Sequence, residues 1–84
     1  MKVEVRFFAS LKDATGLSSV GLELPSGADF DALCAVLRER LGRDALAALR
    51  TSSVRVARNQ TLAQPPFILV DGDEVAFLPP VTGG

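Results

Sequence analysis

The chain has 84 residues, 48% hydrophobic and 23% charged, with a formal net charge of −1. That suits a single domain with one modest core and gives no electrostatic bias toward nucleic acid or an anionic membrane. Histidine is absent and cysteine occurs once, which removes the commonest general base, any histidine metal ligand, an internal disulfide and CxxC zinc spacing.

Lys2 to Phe8 alternates in period two and predicts a strand with Val3, Val5 and Phe7 toward a core. Lys2, Glu4, Arg6 and Phe8 then face the other way, Phe8 being the odd apolar member of a charged face. Ala9 to Thr15 reads as a turn or one or two helical turns ending at Gly16. Ser19 to Leu24 alternates again, with Val20, Leu22 and Leu24 on one side, until Pro25-Ser26-Gly27 stops it. Residues 2–24 therefore form an antiparallel hairpin with a long connection.

Asp29 is placed to cap a helix over about residues 29–41, with Phe30, Leu33, Cys34, Leu37 and Leu41 as its apolar stripe. Cys34 on that stripe reads as a buried structural cysteine. Arg38 and Arg40 complement the helix C-terminus, Arg43 extends the basic cluster, and Gly42 suits the position just past the end. Arg43 to Leu49 predicts a short helix or 3₁₀ turn. Ser53 to Arg58 predicts a strand with Val54 and Val56 set against Arg55 and Arg58, turning at Asn59-Gln60. Thr61-Leu62-Ala63 adds a brief strand before Pro65-Pro66. Phe67 to Val70 is apolar but short, and Asp71-Gly72-Asp73 is a turn signal. Asp71, Asp73 and Glu74 are expected to be a solvated turn rather than a metal cluster; no metal site is expected. Glu74 to Leu78 is the last strand, with Val75 and Phe77 inward and Glu74, Ala76 and Leu78 outward.

This order predicts an α+β fold, one main helix across one face of a mixed four- to five-stranded sheet. If the first and last strands are central neighbours they must run parallel, which is a β-grasp arrangement. Residues 1–78 then form the domain and 79–84 an extended C-terminal tail. Pro79-Pro80 ends sheet pairing, and Gly83-Gly84 offers a slim end whose reactive group is the α-carboxylate.

The run Asp71-Gly72-Asp73-Glu74-Val75-Ala76-Phe77-Leu78-Pro79-Pro80-Val81-Thr82-Gly83-Gly84 resembles the C-terminal signature of the molybdopterin synthase small subunits, ubiquitin-like sulfur carriers. Val5-Arg6-Phe7-Phe8-Ala9 and Asn59-Gln60-Thr61-Leu62 support the resemblance; Leu78 stands where the family often has phenylalanine. A carboxylate with pKa ~3.3–3.7 is ionised and unreactive at neutral pH. The resemblance implies that an adenylating (E1-like) activating enzyme uses ATP and magnesium to convert the Gly84 carboxylate to a mixed anhydride. A sulfur donor then displaces AMP and leaves a thiocarboxylate. It also implies delivery of that sulfur into the synthase large subunit, where precursor Z accepts it. On that resemblance Gly83 and Gly84 are expected to carry the chemistry, and no cofactor is expected on this chain itself.

Phe8 and Leu78, expected on adjacent strands and on the face away from the helix, suggest an apolar patch at the root of the tail. Pro79, Pro80, Val81 and Thr82 complete the candidate partner-binding segment. A cytoplasmic location is expected, because Met1 to Val5 alternates with charge instead of forming a signal sequence, and no apolar run approaches ~20 residues. Rival readings keep the carrier chemistry but change the acceptor (thiamine thiazole, cysteine or tRNA), or make the chain a ubiquitin-like modifier or plain binding module.

Overall fold

A computed structural model describes residues 1–80. The roles expected of Val81, Thr82, Gly83 and Gly84 lie outside the described residues. The alternating N-terminal run forms β1 (Lys2–Phe7), with Val3, Val5 and Phe7 buried. It ends one residue earlier than expected: Ala9 has φ 51, and the Phe8 carbonyl accepts the Leu11 amide, so the chain leaves the strand into α1 (Ser10–Thr15). Gly16, at φ 77, closes α1 in the left-handed conformation that glycine tolerates best, and β2 (Ser19–Glu23) returns antiparallel to β1.

Helix α2 (Phe30–Leu41) starts where its cap demands, with Asp29 Oδ1 accepting the Ala32 amide at 2.9 Å. Phe30, Leu33, Cys34 and Leu37 are buried, while Leu41 is half-buried. Gly42 ends α2 at φ 95 and opens α3 (Arg43–Leu49), a true α-helix of seven residues that buries Ala45 and Leu49.

β3 spans Arg55–Arg58 and β4 spans Thr61–Ala63. They are joined by a two-residue turn in which Asn59 (φ 51) and Gln60 (φ 69) both take positive φ, the hairpin geometry that matches strand twist. The expected opposition of Arg58 to Val56 is corrected here. The two lie two residues apart and share a face, so Arg58 stands at the core side of the sheet's end. Phe67 to Val70 makes no strand, only the single bridge of Ile68 with Asp29. Leu69 is buried there, whereas Ile68 and Val70 are exposed.

β5 (Glu74–Leu78) completes a five-stranded sheet in the order β2-β1-β5-β3-β4. β5 runs parallel to β1 and antiparallel to β3. The helices cover one face, and the core between the layers is centred on Phe7, Phe77, Leu33 and Leu37. Phe77 stacks on Phe7 with centroids 6.0 Å apart and meets Phe30 at 5.9 Å. The arrangement is the β-grasp fold.

Candidate functional site

The sheet face away from the helices holds the side chains that follow from outward parity. Register places Glu4 beside Glu74, Arg6 beside Ala76, Ala76 beside Ala57, and Ala57 beside Leu62. Leu78 lies opposite Arg55 at the end of β5 where Pro79 leaves the sheet. Phe8 is exposed on this same face, since the Arg6 guanidinium lies 5.7 Å from its ring centroid. Arg6 also approaches Glu74 at 3.7 Å, so it spans the acidic and apolar halves of the face.

The structure therefore brings Phe8 and Leu78 together on adjacent strand ends at the root of the tail, with Pro79 half-buried and Pro80 exposed. It adds three residues that sequence reasoning missed. Leu62 is the most exposed large apolar side chain described, at 61%, and faces outward beside Ala57 and Ala76. Those alanines are buried although they face outward, because their short side chains sit low between taller neighbours. The signal was available: a two-residue turn at Asn59-Gln60 pairs Leu62 with Ala57 and so fixes its face. The result is an apolar patch of Phe8, Leu62 and Leu78 over an alanine floor, edged by Arg6 and Arg55.

The opposite end of β5 is held by a buried acid. Asp73 was expected in a solvated turn, but it is only 3% exposed. Arg58 Nε and Nη2 donate to its Oδ2 at 3.0 and 2.9 Å, Asn59 Nδ2 to Oδ1 at 2.9 Å, and the Val70 amide to Oδ2 at 2.9 Å. Burial alone pushes its carboxyl up; the Val70 amide, Asn59 and the Arg58 guanidinium outweigh that and hold it below the usual carboxylate range. Arg58 thus has an ion-pair partner at the sheet end, and it also lies 5.3 Å from the Phe67 ring centroid. Asp71 is exposed and accepts the Lys2 amide at 2.7 Å. These two aspartates are structural anchors that fix where β5 begins, and hence where its far end releases the chain.

Among the described residues no three or more His, Cys, Asp or Glu side chains are placed to hold a metal ion, and no helix is long and apolar enough to cross a membrane. Cys34 is buried, and burial pushes its thiol up further than the nearby Arg50 charge draws it down. It stays a protonated core side chain.

Comparison with known proteins finds likeness along the whole chain. The molybdopterin synthase sulfur carrier subunit of Escherichia coli (strain K12) is 40% identical over 85 aligned positions, covering 98% of this chain and 99% of that protein. A solved complex of subunits 1 and 2 of molybdopterin-converting factor from Helicobacter pylori 26695 contains a chain that matches with a TM-score of 0.73 and 32% identity, each chain being fully covered. SAMP1 from Haloferax volcanii superposes with a TM-score of 0.84 at 25% identity, again over the whole of both chains, so the β-grasp is of the ubiquitin-like kind. The sequence model of the ThiS family matches residues 5–84, which takes in the second half of β1, all of β5 and the residues after it, and the chain belongs to that family.

Proposed function

We propose that this chain is the sulfur-donor subunit of a molybdopterin synthase, carrying sulfur as a thiocarboxylate on Gly84. The observation that carries the reading is the family match running through residue 84, on a chain 40% identical to a molybdopterin synthase sulfur carrier subunit. The fold supports it physically. A β-strand in the middle of the sheet leads straight into Pro79-Pro80, so the tail leaves from a rigid base beside an apolar patch.

In this reading an activating partner binds ATP and magnesium, and the Gly84 carboxylate oxygen attacks the α-phosphate. Pyrophosphate leaves, and the carboxylate has become an acyl adenylate. A sulfur donor attacks the carbonyl carbon, AMP departs, and the C-terminal C–O bond has been exchanged for C–S. Gly83 and Gly84 lack side chains and so suit a narrow channel in another protein. Pro79 to Thr82 form the arm, and Phe8, Leu62 and Leu78 dock against the synthase large subunit. General acid and base groups come from that subunit, consistent with a chain that has no histidine. Precursor Z accepts the sulfur, and the work is done in the cytoplasm.

The test is an intact mass before and after incubation with an activating enzyme, ATP and sulfide. A gain of one sulfur less one oxygen, localised to Gly84, is the expected result; no gain, with an enzyme shown to act on another carrier, overturns the reading. The likeness to SAMP1, a small archaeal modifier protein, favours a second reading as a protein modifier. An isopeptide-linked ladder that depends on Gly84 is its signature in cells.

A further inference from the structure

Arg55 opens β3, and its direction follows from its two neighbours. Val54 and Val56 pack toward the core, so the residue between them points to the outer face. Register sets Arg55 opposite Leu78, with the two Cβ atoms about 5 Å apart. Its side chain is exposed and makes no ion pair among the described residues.

The outward carboxylates of the same sheet stand too far off to compensate it. Glu4, Glu23 and Glu74 all lie toward the opposite end, where β1 and β5 begin. Glu74 is four residues before Leu78 on β5, about 13 Å along the strand. That exceeds the screening length of about 8 Å in physiological salt. Arg6 is in a different position. Its guanidinium lies 5.7 Å from the Phe8 ring centroid and 3.7 Å from the Glu74 carboxylate, so it has an acid of its own. Of the two arginines that edge the apolar patch, the fold therefore leaves Arg55 alone uncompensated.

A partner that covers Phe8, Leu62 and Leu78 also covers Arg55, since one side of a stable interface is about 800 Å² and Arg55 is Leu78's register partner. Removing water from a guanidinium without a partner is costly, and a carboxylate set in its planar fork offsets that cost. Resting on the docking surface of the proposed function, we propose that Arg55 determines which large subunit fits. The matching surface presents a carboxylate at the tail-root edge of its apolar contact. A subunit with an apolar or basic group at that point would bury the charge alone, and so is rejected. Arg6 contributes less to this selection, because Glu74 accompanies it into the interface.

Calorimetry of the full chain with the synthase large subunit of the same organism, at low and at high salt, tests the proposal. Arg55→Gln should weaken binding roughly tenfold at low salt and flatten the salt dependence. Arg6→Gln should cost less. Arg55→Lys, which keeps the charge without the planar fork, should recover part of the loss. Arg40→Gln removes a charge from an exposed position on α2 and should change neither affinity nor salt dependence. Binding of Arg55→Gln equal to that of the parent, with Leu62→Glu impaired, overturns the proposal and leaves the docking surface standing. Equal losses in Arg40→Gln and Arg55→Gln also overturn it, because net charge alone would then explain both. A parent chain that does not bind overturns the docking surface, and this selection with it.

Discussion

Asp73 shows how one side chain can set the acid limit of a domain. Its folded pKa lies below the unfolded value, so the ionised form is favoured by folding. That contribution is fully present above the unfolded pKa and is lost as pH falls through the folded one. Stability measured by denaturant melts should therefore decline below about pH 4, the ordinary carboxylate range. Asp73→Asn keeps the shape but removes the charge that Arg58 pairs with; it should cost roughly 1–3 kcal/mol at neutral pH and flatten that acid limb. An unchanged acid limb in Asp73→Asn would assign it to other carboxylates. Cys34 makes the complementary point. Buried among apolar side chains with a raised pKa, it should resist alkylation in the native protein and react only on unfolding.

At the scale of elements, β1, β2, β5 and the long helix could be read from periodicity because each buries one face, and alternation or a three-to-four spacing is the direct imprint of that burial. Val3, Val5, Phe7, Val75 and Phe77 are all buried as their spacing requires. What periodicity could not show was chemistry decided by partners distant in sequence. Asp73 looks like any acidic turn residue until Arg58 and Asn59, fifteen and fourteen positions earlier, close over it. Leu62 was hidden because β4 has only three residues, too few for a pattern, and its face follows from the turn before it. The same turn offers a prediction. Gln60 holds φ 69 at a cost that glycine does not carry, so Gln60→Gly should stabilise the domain by roughly 0.5 kcal/mol after the added chain entropy is offset. A lower melting temperature would show that the Gln60 side chain contributes more than its backbone costs.

For the whole molecule, the two faces of the sheet divide the work. The inner face carries stability: Phe77→Ala should cost about 3–5 kcal/mol, because a ring packed on Phe7 and Phe30 leaves a cavity that the sheet cannot collapse into. On the proposed function, the outer face carries recognition. Leu62→Glu should leave the melting point within the equivalent of about 0.5 kcal/mol. It should also weaken binding to a molybdopterin synthase large subunit by roughly tenfold or more, as calorimetry would measure. Equal affinity for the variant would remove Leu62 from the interface. The patch at the tail root was legible from Phe8 and Leu78, whereas its lateral extent depends on the order of strands in space.

The parallel pairing of β1 with β5 also has a consequence in time. Val5 and Val75 are register partners separated by most of the chain, and β5 fills the gap between β1 and β3. Until Glu74 to Leu78 have emerged from the ribosome, β1 and β3 face each other across an empty lane, and no hydrophobic layer can close. Folding is thus weighted toward contacts of long sequence separation, which form late and slowly. The sheet should therefore close only once the whole chain is available, and a chain cut before Glu74 should show no cooperative thermal transition.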